Sequence, residues 1–177
     1  MAQTDIIIGG FGGQGIQAAG MILAYAGMIE GKNVSWLPSY GPEMRGGTSN
    51  VNVIVSDKEI GSPILATADV LIVMNGPSLE KFEDMVVPGG CIIAERDLVN
   101  RKSKRTDIEV YEMPATQMAN DMGNAAFSNI FMLGKLLKLT NVVTPESFEE
   151  ALKMVLPERK HYLIPDEMLA LEKGMSF

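Results

Sequence analysis

The sequence predicts a three-layer α/β domain built on a mostly parallel, Rossmann-like sheet in which an antiparallel part has a place. Three observations carry that expectation. Apolar strand-like runs alternate with helical patterns along most of the chain. The first of these crossovers is a cluster of glycines, the usual chemistry of a tight strand-to-helix turn. Two strand-like runs between Asn33 and Ser56 follow one another without a helix, and only antiparallel neighbours join that directly. There are no internal repeats and no low-complexity segments, so residues 1–177 read as one domain. That length buries a full core without disulfides or metals.

Taken in order, Asp5 to Ile8 places three isoleucines in a row, a short strand apolar on both faces. Glycine fills five of the next seven positions, and Ile16 then opens a helix that stays uncharged until Glu30. Such a helix lacks the charged stripe of a solvent-facing one, so it is expected to leave an apolar surface for a partner. Val34 to Leu37 is a second strand, and Pro38 to Gly47 a loop. Thr48 to Ser56 alternates Val51, Val53 and Val55 with polar or smaller neighbours, a strand half-buried at its start, and Asp57 to Gly61 is a turn.

Asp69 to Met74 is a buried strand, followed by a short helix near Leu79 to Met85. Pro88-Gly89-Gly90 reads as a turn, Cys91 to Ala94 as a strand, Arg96 to Arg105 as a basic surface loop, and Ile108 to Met113 as the last strand. Pro114 suits a first helical position and Gly123 a stop. Asn124 can cap a helix that puts Phe127, Ile130, Phe131, Gly134 and Leu137 on one face, and Thr144-Pro145-Glu146-Ser147 starts another with Phe148, Ala151, Leu152 and Val155 inward. Pro157 to Pro165 is expected to be an exposed connection to a short helix from Asp166 to Lys173.

Composition removes several function classes. The net charge of −7 argues against a nucleic-acid partner, because neutralising phosphates needs a basic face. The single cysteine, Cys91, cannot form an intrachain disulfide or an all-cysteine zinc or iron–sulfur site, and it reads as a buried strand residue in a reducing, cytoplasmic protein. The uncharged helix spans roughly sixteen residues, short of the ~20 of a membrane span, and no basic segment precedes an apolar one at the N-terminus. No nucleophile, base and acid arrangement is visible. The one histidine, His161, sits in a charged stretch and reads as a surface residue.

Two loops remain as candidates. Gly10-Phe11-Gly12-Gly13-Gln14-Gly15 satisfies G-x-G-x-x-G between a strand and a helix, where the first-turn N–H groups favour an anion. The acidic residue that would hold a ribose diol at the end of the second strand is missing, since that strand runs into Pro38-Ser39-Tyr40. The loop therefore serves a nicotinamide or flavin, another ligand, or packing. Gln14 either meets a ligand or caps local backbone. In the second loop, Tyr40, Glu43 and Arg45 are more than a turn needs. Arg45 either pairs with Glu43 or grips a phosphate or carboxylate, and Gly46-Gly47 lets another backbone approach. If this loop follows the second strand, both motifs lie at the carboxyl edge of the sheet and build one surface.

Gly10-Phe11-Gly12-Gly13-Gln14-Gly15 followed by Ser39-Tyr40-Gly41-Pro42-Glu43-Met44-Arg45-Gly46-Gly47 resembles the gamma subunit of the 2-oxoacid:ferredoxin oxidoreductases, over nearly the whole chain. The resemblance implies an assembly that oxidatively decarboxylates a 2-oxoacid with coenzyme A, giving acyl-CoA and reduced ferredoxin. Thiamine diphosphate and the catalytic groups would lie in alpha and beta subunits, and iron–sulfur clusters in a ferredoxin-like delta subunit or domain. The gamma unit, inactive alone, would help place coenzyme A, with Gly10, Gly12, Gly13, Gln14, Gly15, Tyr40, Glu43, Arg45, Gly46 and Gly47 as the binding residues. Coenzyme A suits a loop that offers N–H groups but no ribose-binding acid. A short separate gamma chain favours 2-oxoglutarate over pyruvate, branched-chain 2-oxoacids and indolepyruvate. The rivals are a stand-alone nucleotide-binding oxidoreductase and a purely structural subunit.

Overall fold

The computed structural model describes residues 3–39 and 48–177. Six strands, β1 (Gln3–Phe11), β2 (Asn33–Ser39), β3 (Thr48–Ser56), β4 (Ala68–Val73), β5 (Val86–Glu95) and β6 (Glu109–Met113), form one sheet in the order β2-β3-β1-β4-β5-β6. β1, β4, β5 and β6 pair in parallel, whereas β3 is antiparallel to both β1 and β2. β1 and β2 therefore run the same way with a reversed strand between them. The expected mixed, mostly parallel sheet is the observed one, and its antiparallel part is the insertion of β3.

The isoleucine run divides two cores. Ile6 and Ile8 join Val51, Val53, Val70 and Ile72 under helices on one face, while Ile7 joins Ile54, Leu71, Val73 and Ile92 on the other. The first face carries α1 (Ile16–Ile29), α3 (Ala115–Asp121), α4 (Ser128–Thr140), α5 (Pro145–Val155) and α6 (Ile164–Ser176). The second carries α2 (Gly76–Phe82) and the segments that contribute Leu65 and Val99. α1 packs on β3 and under α5, and eight of its residues are buried. Its own fold covers most of the face that the uncharged sequence left for a partner, and Ala18, Met28 and Ile29 stay exposed.

α4 and α6 cross in backbone contact. A Cβ on Gly134 would lie 2.3 Å from the Leu171 carbonyl oxygen, and one on Gly174 would lie 2.2 Å from that of Phe131. The two glycines explain why Gly134 belongs to an otherwise bulky apolar face. The caps agree with expectation at α5, where the Thr144 hydroxyl accepts from the Ser147 N–H at 3.2 Å. Asn124 caps a 3-10 turn, Ala125–Phe127, that leads into α4 rather than α4 itself.

Several boundaries differ from expectation. Pro88-Gly89-Gly90 lies inside β5, where pairing with β4 shifts between Ala68 and Val70, so the turn signal marks a bulge. β3 is buried along most of its length because β1 and β2 flank it. Pro114 precedes α3 as its N-cap. Residues 158–163 form a 3-10 helix and α6 begins at Ile164, which turns the expected connection into structure. The basic segment is tied to its own fold: Glu83 accepts from Arg101 at 2.7 Å, from Ser103 at 2.8 Å and from the Lys104 N–H at 3.1 Å. Arg105 is held bidentately by Asp107.

Candidate functional site

β1, β4, β5 and β6 all end at one edge of the sheet, and β2 ends there too. The glycine loop leaves this edge directly from β1. Its turn closes through the Gln14 N–H donating to the Phe11 carbonyl at 3.2 Å. The Gln14 side chain then does two further things: its Oε1 accepts from the Phe11 N–H at 2.7 Å, and its Nε2 donates to the Met74 carbonyl at 3.1 Å. Of the two roles open to Gln14, local capping is the one these bonds express, and they tie the loop to the end of β4. Gly13 and Gly15 have φ of 92° and 72°, the left-handed region that side chains rarely adopt.

Gly15 is the N-cap of α1 and supplies no side-chain cap, so the first-turn N–H groups remain available. Gly12 and Gly13 are exposed. With Phe11, Gly15, Gln17 and Ser49 they line a cavity of about 330 Å³ over the loop. Gln17 donates to Ser49 Oγ and to the Asn50 carbonyl, both at 3.0 Å, and its Oε1 is buried without a partner. From α4, Asn129 Nδ2 donates to the Gly15 carbonyl at 3.0 Å, which brings the first turns of α1 and α4 together at this glycine. Gln17, Ser49 and Asn129 were not among the residues singled out from sequence. The one signal for Asn129 is an amide placed amid an apolar helical run.

Tyr40, Glu43, Arg45, Gly46 and Gly47 lie outside the described residues. The strands that flank them are placed: Thr48 pairs with Phe11, and Ser39 with Asn50. Ser39 and Thr48, on either side of residues 40–47, thus both lie at the glycine-loop edge. β2 ends in Pro38-Ser39, so among the described residues its end carries no carboxylate.

A larger cavity, about 500 Å³, lies at the opposite edge beside Asp69, Cys91 and Glu109. Burial, with Glu109 and Asp69 adding, pushes the Cys91 thiol up to about 11, so it stays protonated and unreactive at neutral pH. His161 is half-buried, with Nε2 3.0 Å from the Leu156 carbonyl. Among the described residues no group of three or more His, Cys, Asp or Glu could hold a metal ion, and no helix is long and apolar enough to cross a membrane.

Comparison with known proteins places this geometry. Residues 5–177 match the family model described as pyruvate ferredoxin/flavodoxin oxidoreductase. The 2-oxoglutarate synthase subunit KorC of Methanocaldococcus jannaschii is 36% identical over 175 residues, covering 97% of this chain and 92% of KorC. The ketoisovalerate oxidoreductase subunit VorA of Methanothermobacter thermautotrophicus is 39% identical over 97% of this chain, which spans only 36% of VorA. Among solved structures, a keto/oxoacid ferredoxin oxidoreductase gamma subunit from Geobacter sulfurreducens superposes with a TM-score of 0.82 at 30% identity, covering 98% of this chain and 99% of that one. The 2-oxoglutarate:ferredoxin oxidoreductase of Magnetococcus marinus, with 2-oxoglutarate, coenzyme A and succinyl-CoA bound, shares the fold with a TM-score of 0.89 at 23% identity, over 99% of this chain and 31% of that one. A glycine turn at the carboxyl edge, a reversed third strand and a family match over nearly every residue agree, and the chain belongs to the pyruvate ferredoxin/flavodoxin oxidoreductase family.

Proposed function

We propose that this chain is the gamma subunit of a 2-oxoacid:ferredoxin oxidoreductase that acts on 2-oxoglutarate, and that it holds coenzyme A. The observation that carries the ligand is the edge itself. An exposed glycine turn feeds a helix whose first N–H groups are uncapped, and among the described residues the end of β2 has no acid for a ribose diol. A diphosphate fits that combination better than a nicotinamide nucleotide does. The near end-to-end match with KorC, a 2-oxoglutarate synthase subunit, supports the substrate.

In this reading the residues of the chain bind and orient. Gln14 fixes the loop against β4, Gly12 and Gly13 admit the phosphate oxygens, and the first turn of α1 supplies partial positive charge. Arg45, between Ser39 and Thr48 in the chain, adds a cation. Thiamine diphosphate and iron–sulfur clusters, carried by alpha, beta and ferredoxin-like delta subunits, would supply decarboxylation and electron transfer to ferredoxin. The subunit acts in the cytoplasm as one domain.

Affinity-tagged chain drawn from its native cells tests this. It is expected to bring down alpha- and beta-type subunits and a 2-oxoglutarate-dependent, coenzyme A-dependent viologen reduction. Recovery of the chain alone, or with partners that lack this activity, refutes the subunit reading. Preference for another 2-oxoacid in the recovered complex refutes the substrate.

A further inference from the structure

Next to the glycine loop, across the first turn of α1, lies a second cavity of about 290 Å³. Gly15 and Ala18 line both, so the two are adjacent along the helix. The walls of the second are apolar: Ile22, Phe127 and Ile130 are buried, and Leu156 and Leu163 half-buried. Glu167 is the exception. It lines the cavity, is only 7% exposed, and its carboxyl has no hydrogen bond or ion pair among the described residues. The buried amide in the same lining, Asn129, gives Nδ2 to the Gly15 carbonyl, and its Oδ1 is closed off. Lys160 is the other charged residue of the lining; it is exposed and makes no ion pair with Glu167. Burial raises the Glu167 carboxyl to about 7, while Lys160 works in the opposite direction.

A carboxyl buried among hydrocarbon without a partner weakens its own fold, and an apolar side chain would fill the same wall without that cost. Its partner is therefore to be sought outside the chain. Water is a poor answer. The space corresponds to about ten waters at ~30 Å³ each, and every ordered water wants two to four polar partners, which this lining does not offer. A purely apolar occupant leaves the carboxyl unsatisfied, and an anion is repelled by it. A cation on a hydrocarbon stem matches both parts, with the stem along the walls and the head at the carboxyl. Arginine meets that description best, because its planar guanidinium gives two N–H groups to one carboxylate and is more weakly hydrated than an ammonium. Lys160 is exposed, so solvent screens its repulsion of an entering cation.

We propose that this cavity receives an arginine side chain of a partner subunit, whose guanidinium pairs with the Glu167 carboxylate. The inference rests on the gamma-subunit reading above. In that reading the chain supplies no catalytic group and presents its ligand at the glycine-loop edge to another subunit, so a partner's surface comes down beside Gly15 and Ala18. Ala18 and Ala126, both in the lining, are small and exposed, which lets that surface approach closely. An arginine buried within a ring of apolar contacts is a frequent anchor of protein interfaces. The carboxyl that weakens the free chain becomes the attachment point of the assembled one.

Titration calorimetry of the full chain with the alpha- and beta-type subunits recovered beside it, at pH 6, 7 and 8 and in buffers of different ionisation enthalpy, tests the assignment. At pH 7 the Glu167 carboxyl of the free chain is about half protonated, and the arginine would hold it ionised. Relative to Glu167→Gln, the wild type is therefore expected to release about half a proton on association at pH 7 and to gain about tenfold in affinity from pH 6 to pH 8. Glu167→Gln is expected to bind the partners roughly tenfold or more weakly than wild type at pH 8, although the free variant withstands more urea there. The urea measurement separates a lost pair from a lost fold. Equal affinity of the two chains overturns the arginine site and leaves the gamma-subunit reading standing. Weaker binding by Glu167→Gln without proton release by the wild type also overturns it, because a neutral group then meets the carboxyl. If no alpha- or beta-type subunit binds the wild-type chain, both readings fall.

Discussion

The carboxyl of Glu167 should make this fold lose stability as the solution is made less acidic, over a range where most proteins are indifferent to pH. In the unfolded chain it ionises near its ordinary value of 4.5, whereas in the folded chain burial holds it protonated up to about 7. Below 4.5 both states are protonated and the group contributes no pH dependence. Between 4.5 and 7 only the unfolded state releases the proton, so stability falls by about 1.4 kcal/mol per pH unit. The total by neutrality is about 3 kcal/mol, a large share of the ~5–15 kcal/mol that holds a domain together. Lys160 is the charged group that opposes the shift. Glu167→Gln keeps the shape and removes the proton equilibrium. Urea unfolding at pH 5, 6, 7 and 8 should show the wild type weakening relative to the variant at each step, with the variant ahead by about 3 kcal/mol at pH 8. Parallel profiles for the two proteins would refute the reasoning, because they would mean that the carboxyl ionises freely in the folded chain.

Other outcomes follow from the same structure. Gly134→Ala drives a methyl group into the Leu171 carbonyl, now 2.3 Å from the position of its Cβ, and should cost at least about 1–3 kcal/mol in chemical unfolding. Glu30 behaves opposite to Glu167: burial works to raise it, but bonds from Lys32 and the Thr144 N–H prevail and hold it at about 2. Its contribution is present above 4.5 and fades as pH falls towards 2, so Glu30→Gln should flatten acid unfolding there and lower stability across the neutral range, where that contribution is complete. Arg45→Ala in the assembled enzyme should raise the coenzyme A requirement roughly tenfold to a hundredfold, as expected for a lost charge-assisted contact worth ~1.5–3 kcal/mol, and leave the 2-oxoacid KM nearly unchanged. Purified chain alone should be colourless and unable to reduce viologen; visible absorbance or turnover would contradict the division of labour.

What the sequence revealed and what it hid have different physical origins. The glycine loop was legible because a strand, a tight turn and a helix start are each specified by residues within a few positions of one another. Its amide lock was half legible: Gln14 was seen as either ligand group or cap, and only the placement of Met74 at the end of β4 showed which bonds it makes. The insertion of β3 between β1 and β2 was foreshadowed by two strands without a helix, yet nothing local states which strands pair. Pro88-Gly89-Gly90 carried a turn composition because a bulge needs the same backbone freedom as a turn. Asn129 and Glu167 were hidden most deeply. Each is an ordinary polar residue on a helix in sequence, and only the packing of α1, α4 and α6 makes them neighbours around one cavity.

The reversed direction of β3 has a consequence for how such a site can change. In an ordinary parallel crossover the connecting helix carries the chain to the opposite edge, so a loop at the ligand side is anchored on one side by a strand and on the other by that helix. Here the chain is held in the sheet at the glycine-loop edge on both sides of the connection from β2 to β3, by Ser39 and by Thr48. Residues can be added, removed or exchanged between those two anchors without moving the register of any strand. The fold thereby ties both ends of that connection to the strands beside β1, so the start of the glycine loop and the two anchors keep their places relative to one another whatever length lies between Ser39 and Thr48.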